Sequence, residues 1–236
     1  MNNKELELYI HIPFCRKKCL YCDFISFAGK EHLIDSYTDA LCREIEQTAG
    51  DYNDRKISSV YIGGGTPSVL SCMQIEKVVN TLVKAFRIKG TEAKRKGLFL
   101  QKKVPPEVEF TIEVNPGTAD PEKLKLYKKL GINRLSIGLQ STDNTALMVL
   151  GRIHDYDDFV RTYNDAREAG FDNINIDLMQ AIPGQSINAW KKVLMMVGVW
   201  NPEHISAYSL IIEDGTVFKD LYDRGELKLP DEDEER

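Results

Sequence analysis

Three cysteines, Cys15, Cys19 and Cys22, fall within eight positions in the stretch HIPFCRKKCLYCDF (11–24), spaced C-x3-C-x2-C. Thiols packed this closely bind metal, form disulfides or carry redox chemistry. The chain opens MNNKELE, with no cationic n-region and no long apolar run, so no secretory signal is expected and a cytoplasmic setting is. Disulfides rarely persist in a reducing cytosol, which leaves metal binding or redox work. Structural zinc takes four ligands, often as two separated C-x2-C pairs, and no second pair is present. Ordinary ferredoxin clusters also use four thiolates. Three thiolates suit a cubane with one iron left open to receive a reactant, with zinc as the less supported alternative. Cys42, in a helical pattern, and Cys72, near a helix start, read as small buried or half-buried thiols.

Some framework must hold those thiols in place. Apolar, β-branched-rich runs occur at 6–14, 58–65, 108–117, 133–141, 173–184 and 204–212. Between them lie helical patterns at 34–47, 71–86, 121–130, 155–169 and 187–199. Asp120 before Pro121 reads as a helix start, and Gly131 and Gly170 as helix stops. Strand and helix alternating in this way predict a parallel α/β sheet in one domain. In such folds ligands bind at the C-terminal ends of the strands. Those ends carry Cys15, the run Gly63-Gly64-Gly65-Thr66, Glu113 with Asn115, Gln140, Asp177, and Tyr208. Burying Glu, Gln and Asp unpaired costs about 1–3 kcal/mol each or more, so their convergence on one mouth points to a cofactor site. The glycine run lacks the downstream lysine and the spacing of a phosphate loop. His32, His154 and His204 read as surface or hydrogen-bonded polar histidines.

The whole chain sets broad bounds. Its 236 residues, 42% hydrophobic and 28% charged, are enough to bury a core. A net charge of −5 argues against a broad nucleic-acid surface. No segment approaches the roughly 18 uninterrupted apolar residues of a membrane span. A mostly basic insertion, 89–106, reads as a solvated loop on the face away from the strand ends. The expected domain is 1–228, with 229–236 as the start of a linker to a C-terminal domain missing from this chain.

The cysteine motif, with an aromatic before its last cysteine, is followed in order by YIGGGTPS, EVNPG, RLSIGLQS, LGRIH, NIDLM-x-x-IPGQ and PEHISAYSL. That series resembles the radical S-adenosylmethionine superfamily. Within it, the likeness is to the branch holding oxygen-independent coproporphyrinogen III oxidases and HemW-type heme chaperones. The match runs from Tyr9 to at least Phe218. The resemblance implies a partial (β/α)6 parallel barrel whose Cys15, Cys19 and Cys22 bind a 4Fe–4S cluster, with the open iron chelating S-adenosylmethionine. It implies that Gly63, Gly64, Gly65 and Thr66 receive the methionine amino group, that Tyr9 and Tyr21 line the cofactor, and that Glu113 contacts it. Gln140, Arg152 and Asp177 match contacts to a second S-adenosylmethionine, with a structural Arg152–Asp177 ion pair as the alternative. The implied chemistry is one-electron reduction of the cluster by a donor, cleaving the sulfonium to methionine and a 5′-deoxyadenosyl radical.

Two functions follow from the resemblance. One is a heme chaperone that binds heme as cargo and delivers it to apoproteins; the other is an oxidase acting on a porphyrinogen. The oxidase pattern carries a further cysteine two residues beyond the third, where this chain has Phe24. Asp23-Phe24 and IPGQ favour the chaperone. A form that keeps the fold and performs neither task is a third possibility.

Overall fold

The computed structural model describes residues 5–88 and 107–230. The basic insertion expected at 89–106, and 231–236 of the expected linker, lie outside the described residues. In chain order the elements are β1 (Glu5–Ile12), β2 (Phe14–Cys15), β3 (Phe27–Ala28), α1 (Ile34–Asp51), β4 (Lys56–Gly64) and α2 (Cys72–Ala85). There follow β5 (Glu109–Val114), α3 (Pro121–Leu130), β6 (Arg134–Gln140), α4 (Asn144–Val149) and α5 (Tyr156–Glu168). Then come β7 (Ile174–Gln180), α6 (Ile187–Val199), β8 (His204–Ser209) and α7 (Val217–Asp223). Strands β1-β4-β5-β6-β7-β8 form one sheet in that order, and every pairing is parallel. This is the expected α/β architecture with six parallel strands.

The two faces of the sheet differ because side chains alternate along each strand. Phe110, Ile112 and Val114 of β5, Leu135 and Ile137 of β6, and Ile174, Ile176 and Leu178 of β7 are buried in the core shared with the helices. Fully burying a side chain of this size contributes about 1.5–3 kcal/mol. The alternate residues, Thr111 and Glu113, Ser136, Asn175 and Asp177, stand on the opposite face. The register puts Glu113 beside Ser136, Ser136 beside Asn175, and Gly138 beside Asp177. One face therefore makes the fold, and the other is free to carry chemistry.

Local signals set the helix ends. Asp120 accepts the Lys123 N–H at 2.8 Å, Pro121 occupies the first turn, and Gly131 closes α3 at φ +96°. Ser71 and Gln74 form a reciprocal capping box on α2, as do Asp155 and Asp158 on α5. Several strands end earlier than their apolar runs. The first stops at Ile12, because Pro13 has no N–H for a ladder. The fifth stops at Gln180, and the Gln185 N–H turns back to Ile182 O at 2.8 Å. Helices α4 and α7 were not expected. Asp143 and Thr216 cap them, and Phe218 of α7 joins a second apolar cluster with Leu150, Met179, Ile182, Leu210 and Leu227. Among the described residues no helix is long and apolar enough to cross a membrane.

Candidate functional site

The cysteine loop leaves β1 and folds back through β2, which pairs with β3 so that Cys15 lies beside Ala28. Its anchors are backbone groups. The Gly65 N–H donates to Ile12 O at 2.9 Å and the Thr66 N–H to Phe14 O at 2.8 Å. Leu20, between the second and third cysteines, donates to Leu150 O at 3.1 Å and accepts from the Phe218 N–H at 3.0 Å. The unexpected helix α7 and the turn after α4 thus hold the loop from outside.

The glycine run follows from the same crowding. A Cβ at Gly63 would lie 2.7 Å from the Tyr61 ring and 2.9 Å from Glu113 Oε1, and one at Gly64 would lie 2.6 Å from the His11 ring. At Gly65 it would lie 2.8 Å from Phe14 O. Gly64 also takes φ +117°, a region that L side chains rarely adopt. The backbone approach that requires glycine is made, at least in part, by the protein itself.

The strand ends and the cysteine loop enclose one cavity of about 310 Å3. Cys15, Cys19 and Cys22 line it together with Tyr21. So do Gly64, Gly65 and Thr66, and, from the far wall, Glu113, Gln140, Arg152 and Asp177. Of the residues expected to hold the cluster and its ligand, all but Tyr9 and Gly63 therefore share one space. Tyr9 is placed differently: it is 59% exposed and lines an adjoining groove with His11, Phe24 and Glu113. Cys42 is buried in the core within α1, and neither it nor Cys72 lines the cavity. Sequence reasoning missed Tyr61, Ser136 and Gly138. Their signal was parity, since each stands an even number of positions from an inward residue on its own strand.

Each charged group is held by named partners. Glu113 accepts from Tyr61 OH at 2.9 Å and from the Gly64 N–H at 3.1 Å. Burial nevertheless holds its pKa above the usual carboxylate range, opposed by those two bonds and aided by the charge of Asp177. Asp177 accepts from Ser136 Oγ at 3.0 Å and Asn175 Nδ2 at 2.7 Å, and burial raises its pKa also. Arg152 donates to Cys19 Sγ at 3.4 Å, to Gly138 O at 2.8 Å and to Asn115 Oδ1. Burial opposes its charge, but Tyr21 and the Cys19 sulfur outweigh burial and hold its pKa above the ordinary guanidinium value. Among the described residues Arg152 and Asp177 form no ion pair, so that alternative is set aside. Of the three histidines expected at the surface or hydrogen-bonded, His32 is exposed and His204 bonds Asn175 Oδ1. His154 differs from expectation: it is buried, with Nε2 on Leu139 O at 3.2 Å and Nδ1 without a partner among the described residues.

Thr66 Oγ1 donates to Cys15 Sγ at 3.4 Å and Arg152 to Cys19 Sγ, so both sulfurs accept a hydrogen bond from the cavity wall. Burial raises the Cys22 thiol pKa, opposed by the Phe24 backbone N–H and the charge of Lys18. Among the described residues no three His, Cys, Asp or Glu side chains converge as ligands to a single ion. Among the described residues three thiols line the cavity and no fourth joins them, which suits a cluster with one metal position left open. Ser26 Oγ and Arg152 Nε in the cavity wall are buried without a hydrogen-bond partner among the described residues. The residues fit an iron–sulfur cluster with a polar ligand beside it.

Comparison with known proteins bears on this geometry. A model of the Radical SAM superfamily matches residues 9–197. The heme chaperone HemW of Bacillus subtilis is 35% identical over 227 residues, covering 96% of this chain and 56% of that protein. The heme chaperone HemW of Escherichia coli is 35% identical over 214 residues, covering 90% and 52%. The solved structure of coproporphyrinogen III oxidase (HemN) from Escherichia coli, described there as a Radical SAM enzyme, superposes with a TM-score of 0.81 at 29% identity, covering 99% of this chain and 50% of that one. The chain spans about half the length of the curated relatives it matches. The cysteine spacing, the parallel sheet and the family match over most of its length agree: the chain belongs to the Radical SAM superfamily.

Proposed function

We propose that the whole protein is a HemW-type heme chaperone that carries a 4Fe–4S cluster and S-adenosylmethionine, binds heme and delivers it to apoproteins. The observation that carries this reading is the cavity in which the three thiols meet two half-buried carboxylates and a half-buried arginine. Cys15, Cys19 and Cys22 would hold the cluster, which supplies one-electron chemistry when bound and reduced by a donor. Glu113, whose oxygens already accept two hydrogen bonds, stands ready for a ligand ammonium. Gly64, Gly65 and Thr66 form the adjacent edge, and Tyr21 and Tyr9 flank it. Gln140, Arg152 and Asp177 form the opposite wall, where a second S-adenosylmethionine would be met. Two carboxylates in a partly desolvated cavity favour cationic ligand groups, an ammonium or a sulfonium, over anions.

Phe24 favours the chaperone over the oxidase. Its ring is 64% exposed at the rim of the cavity, where the oxidase pattern has a further thiol, and it offers neither a proton nor a sulfur ligand. The second reading, oxygen-independent coproporphyrinogen III oxidase, is supported by the 0.81 TM-score with HemN. One paired assay separates them. The full-length protein, reconstituted anaerobically, is titrated with heme and separately incubated with coproporphyrinogen III, S-adenosylmethionine and a reductant. Heme binding without conversion is expected; formation of protoporphyrinogen IX without heme binding would reverse the assignment.

A further inference from the structure

Strand β6 does not run straight into the cavity. Gly138 pairs with Asp177 and Gln140 with Leu178, leaving Leu139 as an extra, bulged residue. The bulge puts Gln140 at φ +69°, disfavoured for any residue with a Cβ, so the surroundings must hold it there. Three contacts do so. Arg152 donates to Gly138 O at 2.8 Å, His154 Nε2 bonds Leu139 O at 3.2 Å, and Tyr208 OH donates to Gln140 Oε1 at 2.9 Å. A carbonyl can only accept, so His154 is the Nε2–H tautomer. The short segment carrying Arg152 and His154 is itself fixed, since Leu150 O accepts from Leu20 and a Cβ at Gly151 would lie 2.7 Å from the Leu20 side chain.

His154 is only 5% exposed, and its other ring nitrogen has no partner among the described residues. A purely structural role would be filled as well by an apolar side chain, with no buried nitrogen left unsatisfied. Its one hydrogen bond goes to the bulge. The imidazole does not line the cavity, and its hydrogen bond reaches the cavity wall through the bulge beside Gln140.

We propose that His154 is a positioning residue, whose Nε2–H on the Leu139 carbonyl fixes the bulge and turns the Gln140 carboxamide into the cavity to meet a bound S-adenosyl ligand. This rests on the reading that the ligand touches the wall formed by Gln140. The test uses the full-length protein, reconstituted anaerobically, with S-adenosylmethionine binding measured by equilibrium dialysis and the Gln140 side-chain amide followed by 15N NMR. His154→Phe keeps a ring and loses the donor; His154→Asn keeps an N–H donor. Loss of one oriented hydrogen bond is expected to weaken binding about tenfold in His154→Phe and in Gln140→Ala, and by less than about threefold in His154→Asn. The double variant His154→Phe/Gln140→Ala should bind no more weakly than Gln140→Ala alone, because one effect runs through the other. Iron content should stay at the wild-type value throughout. Wild-type affinity in His154→Phe, or losses that multiply in the double variant, would overturn the proposal. Wild-type affinity in Gln140→Ala would overturn the ligand-wall reading and the proposal with it, leaving the cluster assignment intact. If His154→Phe does not fold, His154→Asn decides: a displaced Gln140 amide resonance with wild-type affinity refutes the positioning role.

Discussion

Replacing Gly65 by alanine would place a methyl carbon 2.8 Å from Phe14 O and 3.0 Å from both Ile12 O and Phe14 N. All three are backbone atoms, so no side-chain rotation relieves the clash. Either the end of β1 or the cysteine loop must move. The bonds at stake are Gly65 N–H to Ile12 O at 2.9 Å and Thr66 N–H to Phe14 O at 2.8 Å, which tie the loop carrying Cys15 to the end of β4. Losing both costs about 1 kcal/mol each, and forced overpacking adds about 1–3 kcal/mol, for a total of about 3–5 kcal/mol. That is a large share of the roughly 5–15 kcal/mol by which domains are stable. Gly63→Ala is the control. Its methyl meets only side-chain atoms, of Tyr61 and Glu113, which have room to shift, and about 1–2 kcal/mol is expected. Urea unfolding of both variants measures the difference, and the rate at which a thiol reagent modifies Cys15 reports the loop. Gly65→Ala should be the less stable and the faster to react. If Gly63→Ala is equally or more destabilising, the argument from backbone crowding is wrong.

Two further outcomes follow from the buried ionisable groups. Because burial raises the Glu113 pKa, wild-type stability from this group is greatest below the ordinary carboxylate range and falls as pH rises through the elevated folded value. Glu113→Gln should therefore unfold at higher urea than wild type at pH 7, with the advantage vanishing toward pH 4, and should bind S-adenosylmethionine more weakly; no stability gain at pH 7 refutes the burial argument. His154 has the opposite sign. Burial, with Arg152 nearby, lowers its pKa from 6.5 to about 4, opposed by the Leu139 carbonyl, Asp158 and Asp155. Its contribution is complete above pH 6.5 and is lost as pH falls toward 4, by about 1.4 kcal/mol per pH unit and about 3 kcal/mol in all. His154→Asn should lose that much less than wild type over the interval; parallel pH profiles would contradict it.

Much of this was legible in the sequence, for identifiable reasons. The six strands show because their outward residues, such as Ile174, Ile176 and Leu178, are apolar and β-branched or branched, and their boundaries blur only where apolar residues continue past the ladder, as at Ile182 and Leu210. Helix α3 was fully visible through Asp120, Pro121 and Gly131, which act locally. The convergence of Glu113, Gln140 and Asp177 followed from strand ends in a parallel sheet. What stayed hidden depends on tertiary contact. The bulge at Leu139 is marked in the sequence only by Gly138, a strand glycine whose partners lie far along the chain, and His154 looks polar although it is buried against the bulge carbonyl. Helix α7 matters because Phe218 docks on Leu20, a pairing 198 positions apart that no local pattern encodes. Tyr9, implied by the resemblance to line the cofactor, stands just outside the cavity because β1 is the sheet edge, where its side chain opens to the adjoining groove.

The three thiols of the 15–22 loop, and not the other two cysteines, are expected to hold an iron–sulfur cluster in the cavity. Anaerobic reconstitution with iron and sulfide, followed by iron analysis and Mössbauer spectroscopy, tests it directly. About four irons per chain are expected for the wild type, Cys42→Ala and Cys72→Ala, and none for the triple variant Cys15→Ala/Cys19→Ala/Cys22→Ala. A colourless protein holding one zinc, or a cluster that survives in the triple variant, would contradict the account.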